Sequence, residues 1–277
     1  MRSFRRVMAL TGGLLLATHV LSAQEKPAID ATALAKQTQN PVADLVTIPF
    51  QFNFNSGGGL GDATLFNLNF QPVIPIRVTP DWTLIARTIV PFLSSPGPDG
   101  TQVSGIGDIV LQTFLSPAHP GKLIWGIGPE FSIPAATNPL FRTGSWAIGP
   151  TGVLLTTRGP YVIGLLANQL WTFADAGGDP EVNQLLIQPF VNYNFGKGWA
   201  ISTGPIITAN WSAPSGQEWT VPLGLGITRT TLFAGRPINI GAQYYYNVVH
   251  PDNGPASQFR IIFALLYPSA RKPAPEH

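Results

Sequence analysis

Four charged residues far apart in the chain, Arg87, Asp108, Glu130 and Arg260, sit on the polar parity of stretches whose side chains alternate apolar and polar. Asn67, Asn69 and Gln71 share that parity, as do Gln188, Asn192 and Gln243 further on. Arg77 and Arg229 lie near segment ends, where parity is less well defined. If the polar parity faces the inside of a closed wall, two acids and two bases meet there. Two readings of that meeting stand. The charges form a bipolar constriction that orients polar solutes, or they pair with one another and fill the interior. The amide-rich lining suits small polar or amphipathic solutes better than a strongly charged one.

Hydrolytic chemistry has little to work with. A nucleophile needs a base and a group that orients the base. Beyond residue 23 the histidines are His119, His250 and His277. His119 falls in an expected short turn, and His277 is the last residue. His250, near Asp252, is the one candidate base, and no serine motif accompanies it. We therefore expect no enzyme and no catalytic residues. The alternatives to transport are an outer-membrane lipase or protease and a structural or adhesive barrel. Asp175, Asp179 and Glu181 offer oxygen ligands but lack calcium-loop spacing. With no Cys, no phosphate-binding glycine loop and no nucleic-acid motif, no metal, cofactor or nucleic acid is expected.

The elements that position these residues read as strands. In Val46–Asn55, VTIPFQFNFN, Val46, Ile48, Phe50, Phe52 and Phe54 alternate with Thr47, Pro49, Gln51, Asn53 and Asn55. Successive side chains of a strand point to opposite faces, so one face is apolar and the other polar. The pattern recurs to the C-terminus with no candidate helix to cover the apolar face. Twelve strands are expected, over 45–55, 63–78, 82–92, 105–116, 123–134, 146–157, 161–173, 182–195, 199–211, 218–229, 237–248 and 258–267. Each is close to the ~9–11 residues that cross a bilayer at barrel tilt, or a little longer. The sixth and seventh do not declare which side faces in.

The connections alternate in length. Those after even strands are tight, as at Thr79-Pro80-Asp81, Arg158-Gly159-Pro160 and Gly196-Lys197-Gly198. Those after odd strands are longer, as at Ser56–Asp62, Leu93–Ser104, Ala135–Ser145 and Ala174–Glu181. Short periplasmic turns and long outer loops mark outer-membrane barrels. The seven Trp lie at or near strand ends, as interfacial girdles require. Against regularity stand Pro49, Pro72, Pro75, Pro91, Pro129, Pro150, Pro189, Pro205 and Pro222 inside proposed strands, because proline donates nothing to a ladder.

Composition and address agree. Only 11% of residues are charged and mean hydropathy is +0.17, yet beyond the first 23 residues no stretch approaches the ~20 apolar residues of a spanning helix. Arg2, Arg5 and Arg6, the apolar run from Val7 to Val20 and Leu21-Ser22-Ala23 read as a signal peptide cleaved near Ala23. The full chain has 16 basic and 14 acidic residues; three bases leave with the signal, so the mature chain is near neutral. Residues 24–44 form an N-terminal lead. Ala31–Gln37 has helix-forming composition, stopped by Asn40-Pro41. A periplasmic tail is favoured there over a plug in the barrel mouth, since so short a helix is marginal without packing. The barrel spans 45–267, and 268–277 is a periplasmic tail.

LAKQTQNPVADLVTIPFQFNFN at 34–55, with QPVIPI, SGIGDI, LIWGIGP, LANQLWTF and QPFVNYNF further on, resembles a family of Gram-negative outer-membrane proteins. These are labelled transporters and related to barrels named for the meta-pathway of phenol degradation, and some members carry the label neuromedin U. The resemblance covers the mature chain and implies an outer-membrane barrel with a transport role. The expectation is an all-β, antiparallel transmembrane barrel of about twelve strands, a passive channel with a narrow lumen. Its expected partners are outer-membrane lipid and lipopolysaccharide, the outer-membrane assembly machinery and a small-molecule solute.

Overall fold

The computed structural model describes residues 30–58, 63–175 and 181–268. The expected signal peptide and most of the expected C-terminal tail lie outside them. Twelve antiparallel strands form one closed meander. They are β1 (Leu45–Ser56), β2 (Leu65–Phe70 and Val73–Arg77), β3 (Trp82–Pro96), β4 (Gln102–Ile106 and Ile109–Pro117), β5 (Leu123–Ile133) and β6 (Ser145–Arg158). They continue as β7 (Tyr161–Asp175), β8 (Asn183–Gly196), β9 (Trp199–Thr203 and Ile207–Asn210), β10 (Trp219–Phe233), β11 (Arg236–Val249) and β12 (Ser257–Pro268). Each pairs with its sequence neighbours, and β12 closes on β1 from Leu45↔Pro268 to Ser56↔Ser257. Among the described residues no helix is long and apolar enough to cross a membrane, which says nothing about strands.

The outward parity is apolar and bare. Leu223, Leu225 and Ile227 of β10 are exposed while Pro222 and Thr228 are buried. Phe259, Ile261 and Tyr267 of β12 face out; Arg260, Ala264 and Leu266 are buried within. Such a belt is stable only against hydrocarbon. Aromatic rings mark its rims. At the short-turn end Trp82 meets Trp125 edge-on at 6.0 Å, and Phe195 stacks near Trp199 at 6.5 Å. Trp211 and Trp219 pair at 5.4 Å at the other end. Arg229 belongs to the outward face, its guanidinium 4.9 Å from the Trp199 ring centroid, a cation snorkelling to the interface.

Pro72, Pro205 and Pro222 coincide with breaks or a register shift in the ladder, whereas Pro49, Pro75, Pro91 and Pro189 stay within paired runs. β2 is interrupted at Gln71-Pro72, β4 at Gly107-Asp108 and β9 at Gly204-Pro205-Ile206, and the β10–β11 register shifts at Val221/Pro222. Proline carbonyls stay in use: Pro49 accepts from the Gln71 N–H, Pro72 from Thr88 and Pro91 from Gly107. Pro129 and Pro150 face each other across β5–β6, so two missing donors share one place. At Gly149 a side chain would collide with the Gln169 carbonyl, so β6 can approach β7 there only as glycine.

Two connections differ from expectation. The expected long loop Leu93–Ser104 is mostly strand: β3 runs to Pro96, β4 starts at Gln102, and a tight turn with Gly100 at φ 79° joins them. The lead is not a free tail. Residues Ala31–Thr38 form helix α1, capped by the Asp30 carboxylate accepting from the N–H groups of Thr32 and Ala33. Leu34 packs against Leu45, Ala264 and Leu266 on the inner wall. Val42 joins Ile85, Phe114, Val153, Leu155, Val162, Leu166 and Phe190. Burying Leu34 and Val42 contributes about 1.5–3 kcal/mol each, and this packing offsets the weakness of a two-turn helix. The inward faces of β6 and β7 belong to the second of these clusters: Val153, Leu155, Val162 and Leu166 point inward and are buried together with Val42.

If the outward belt lies in hydrocarbon, Leu225→Arg at mid-strand should cost about 2–4 kcal/mol of folding stability in bilayers. Urea titration of the heat-modifiable gel band would measure this. A neutral result would argue that the face is wet.

Candidate functional site

The lumen is divided. A chamber of about 240 Å³ has Gln37–Pro41 and Ala43 as its floor at the short-turn end, and Gln51, Gln71, Arg87, Gln188, Asn192, Gln243 and Arg260 among its walls. A vestibule of about 210 Å³ lies toward the long loops, lined by Asn53, Asn55, Asn67, Asn69, Tyr245, Asn247 and Gln258 among others. Arg260 lines both and forms the partition with Tyr245, whose ring centroid lies 5.4 Å from its guanidinium. Arg260 is held by Nε to Asn53 Oδ1 at 2.8 Å, Nη2 to Gln258 Oε1 at 2.7 Å and Nη1 to Gln243 Oε1 at 3.5 Å.

The strand breaks put side chains to use. At the β9 break the Gly204 N–H donates to the Tyr245 hydroxyl at 3.1 Å, and Gln188 Nε2 donates to the Gly204 carbonyl at 3.3 Å. At the β2 break Gln71 accepts from Arg87 Nη2 at 2.8 Å and donates to Gln51 Oε1 at 3.4 Å. Arg87 Nη1 donates to Gln112 Oε1 at 3.2 Å, and Gln112 Nε2 donates to Glu130 Oε2 at 2.9 Å. Arg87 thus reaches Glu130 through an amide, and Glu130 lines neither cavity.

Asp108 does not join a constriction. It sits at the β4 break, where Oδ1 accepts from the N–H groups of Ala135 and Ala136, both at 3.1 Å. Its Oδ2 accepts from the Thr143 N–H at 2.7 Å and hydroxyl at 2.6 Å. It anchors the loop after β5. The other expected lumen residues separate by level: Asn67 and Asn69 line the vestibule, Gln71 and Arg87 the chamber, Arg260 the partition. The Asn67 side-chain oxygen is buried without a hydrogen-bond partner among the described residues. Tyr245 escaped the sequence reading, although its parity with Gln243 and Asn247 carries the signal. The lead fastens to the wall at three places. Lys36 Nζ donates to the Gly159 carbonyl at 2.8 Å, the Thr32 hydroxyl accepts from the Gly198 N–H at 3.3 Å, and the Gln39 and Asn194 amides exchange hydrogen bonds at 3.0 and 2.9 Å. His250 Nδ1 lies 2.8 Å from the Pro251 carbonyl, which can accept its N–H.

No protein-family model matches the chain, and no curated protein does. Solved structures do. The fold is that of a transmembrane β-barrel similar to outer-membrane channels. The COG4313 outer membrane channel from Pseudomonas putida F1 aligns at TM-score 0.59 with 13% identity, over 80% of this chain and 94% of that one. The NanC porin aligns at 0.51 with 11% identity, over 79% and 98%. At such identities the likeness is one of fold.

Removing the Asp108 carboxylate deletes charge-assisted bonds worth about 1.5–3 kcal/mol. Asp108→Ala should therefore speed tryptic cutting at Arg142 in the folded protein about tenfold or more. An unchanged cutting rate would mean the loop is held by other contacts.

Proposed function

We propose that the chain is an outer-membrane barrel acting as a passive channel for small polar or amphipathic molecules. In this reading the signal at residues 1–23 exports it, assembly machinery inserts it, and outer-membrane lipid and lipopolysaccharide surround it. The kinship with phenol-pathway barrels and with proteins labelled neuromedin U belongs to the same proposal. One observation carries the reading: a closed wall, apolar outside, encloses two chambers that share Arg260 and carry many amide side chains.

The lead segment is the stopper of this channel. It floors the chamber, and polar bonds at the short-turn rim together with two apolar side chains hold it there. Passage then requires its displacement, which costs polar contacts of about 1 kcal/mol each and the burial of Leu34 and Val42 at about 1.5–3 kcal/mol each, without unfolding the barrel. The outer-membrane hydrolase alternative draws no support from His250, whose ring nitrogen lies against a backbone carbonyl of its own loop.

The chain has no Cys, so a thiol pair can be placed cleanly. The variant Gln39→Cys, Asn194→Cys, bridged by a short bis-methanethiosulfonate, should give no single-channel steps in planar bilayers, and reductant should restore them. Equal conductance before and after release would show that the segment is no stopper. Silence in both states would overturn the channel.

A further inference from the structure

The chamber above α1 has an unbalanced lining. Two guanidiniums, Arg87 and Arg260, belong to it, and among the described residues no Asp or Glu side chain does. The nearest acid tied to Arg87, Glu130, stands behind Gln112 and outside the cavity. Both cations are held by neutral amide oxygens rather than carboxylates. Arg87 donates to two acceptors, which leaves further N–H groups of its fork for an occupant. Two positive charges lining one confined space call for a negative occupant, and the planar fork matches a carboxylate.

The rest of the wall is not polar throughout. Val73, Leu166, Phe190 and Ile262 line the same space. A heavily hydrated dianion would lose its water against them with nothing in return. A molecule with a carboxylate at one end and an apolar body at the other meets both halves of the lining. The volume, about 240 Å³, exceeds the roughly 150 Å³ of an apolar cavity that takes up benzene, so an acid of about eight non-hydrogen atoms fits.

We infer that the chamber is a binding site for small amphipathic monocarboxylates, with the carboxylate on Arg87 and Arg260 and the apolar body on Leu166, Phe190 and Ile262. The inference rests on the channel reading only in that solutes must reach the lumen.

Calorimetric titration of the refolded protein in detergent, with hexanoate, hexanamide and acetate, tests it separately from conductance. Hexanoate should bind at least about tenfold more tightly than hexanamide, which lacks the charge, and than acetate, which lacks the body. Arg87→Gln and Arg260→Gln should each weaken hexanoate at least about tenfold and hexanamide by less, with the heat-modifiable gel shift verifying the fold. Gln243→Glu keeps the acceptor that Arg260 uses and adds a negative charge beside it, and should weaken hexanoate similarly. Equal binding of hexanoate and hexanamide, or hexanoate binding unmoved by all three substitutions, overturns the site. Discrete conductance without hexanoate binding sinks this inference and leaves the channel. Hexanoate binding without conductance supports the site and sinks passage.

Discussion

A backbone N–H or C=O in the hydrocarbon of a bilayer has no water to turn to, so it must be bonded within the protein. That constraint closes β12 onto β1 and leaves no free edge. It also governs the interruptions. Where proline or glycine breaks a ladder, the freed groups are taken up from inside. The Gly204 N–H finds the Tyr245 hydroxyl and the Gly204 carbonyl finds Gln188. Irregular backbone is tolerated in a membrane where it lines a cavity, and the β9 break does so, with Gly204 in the chamber wall. The side chains that mend the wall are thereby among those that line the lumen, and wall and site become one problem.

The lumen changes character along its length. Toward the long loops it is lined largely by amides, with Asn53, Asn55, Asn67 and Asn247 around the vestibule. Toward the short turns Leu45, Ala264 and Leu266 on one side, and Val153, Leu155, Val162 and Leu166 on the other, face inward. An apolar inner wall needs an apolar filling, and Leu34 and Val42 supply it. The N-terminal segment and the departures from alternation are therefore two views of one packing.

Much of this was legible in the sequence. Period-two alternation gave most of the twelve strands, because a lipid face and a polar lumen impose opposite preferences on adjacent residues, and the turn signals bounded the sixth and seventh. Turn chemistry gave the short ends: Lys197 and Gly198, at φ 52° and 77°, form a tight hairpin turn. Facing failed at β6 and β7, where the wall meets packed protein and both faces are apolar. Asp108 was misread because parity presumes an unbroken strand, and the break at Gly107 frees its carboxylate to cap a loop. Parity likewise placed Arg87, Glu130 and Arg260 inside but could not say that Gln112 stands between Arg87 and Glu130, since cross-strand neighbours depend on register. Tyr245 was passed over because a large aromatic reads as lipid-facing, yet its hydroxyl has a partner inside.

The central claim is a wall with lipid on one parity and the lumen on the other. Single cysteines at 221, 222, 223, 225, 227, 228 and 230 of β10, in protein reconstituted into bilayers, test it directly, since the chain has no thiol of its own. The account predicts that positions 221, 223, 225 and 227 react with a membrane-soluble maleimide, and that 222, 228 and 230 are shielded from it. Uniform labelling, or reaction of the odd positions with a charged maleimide alone, would contradict it.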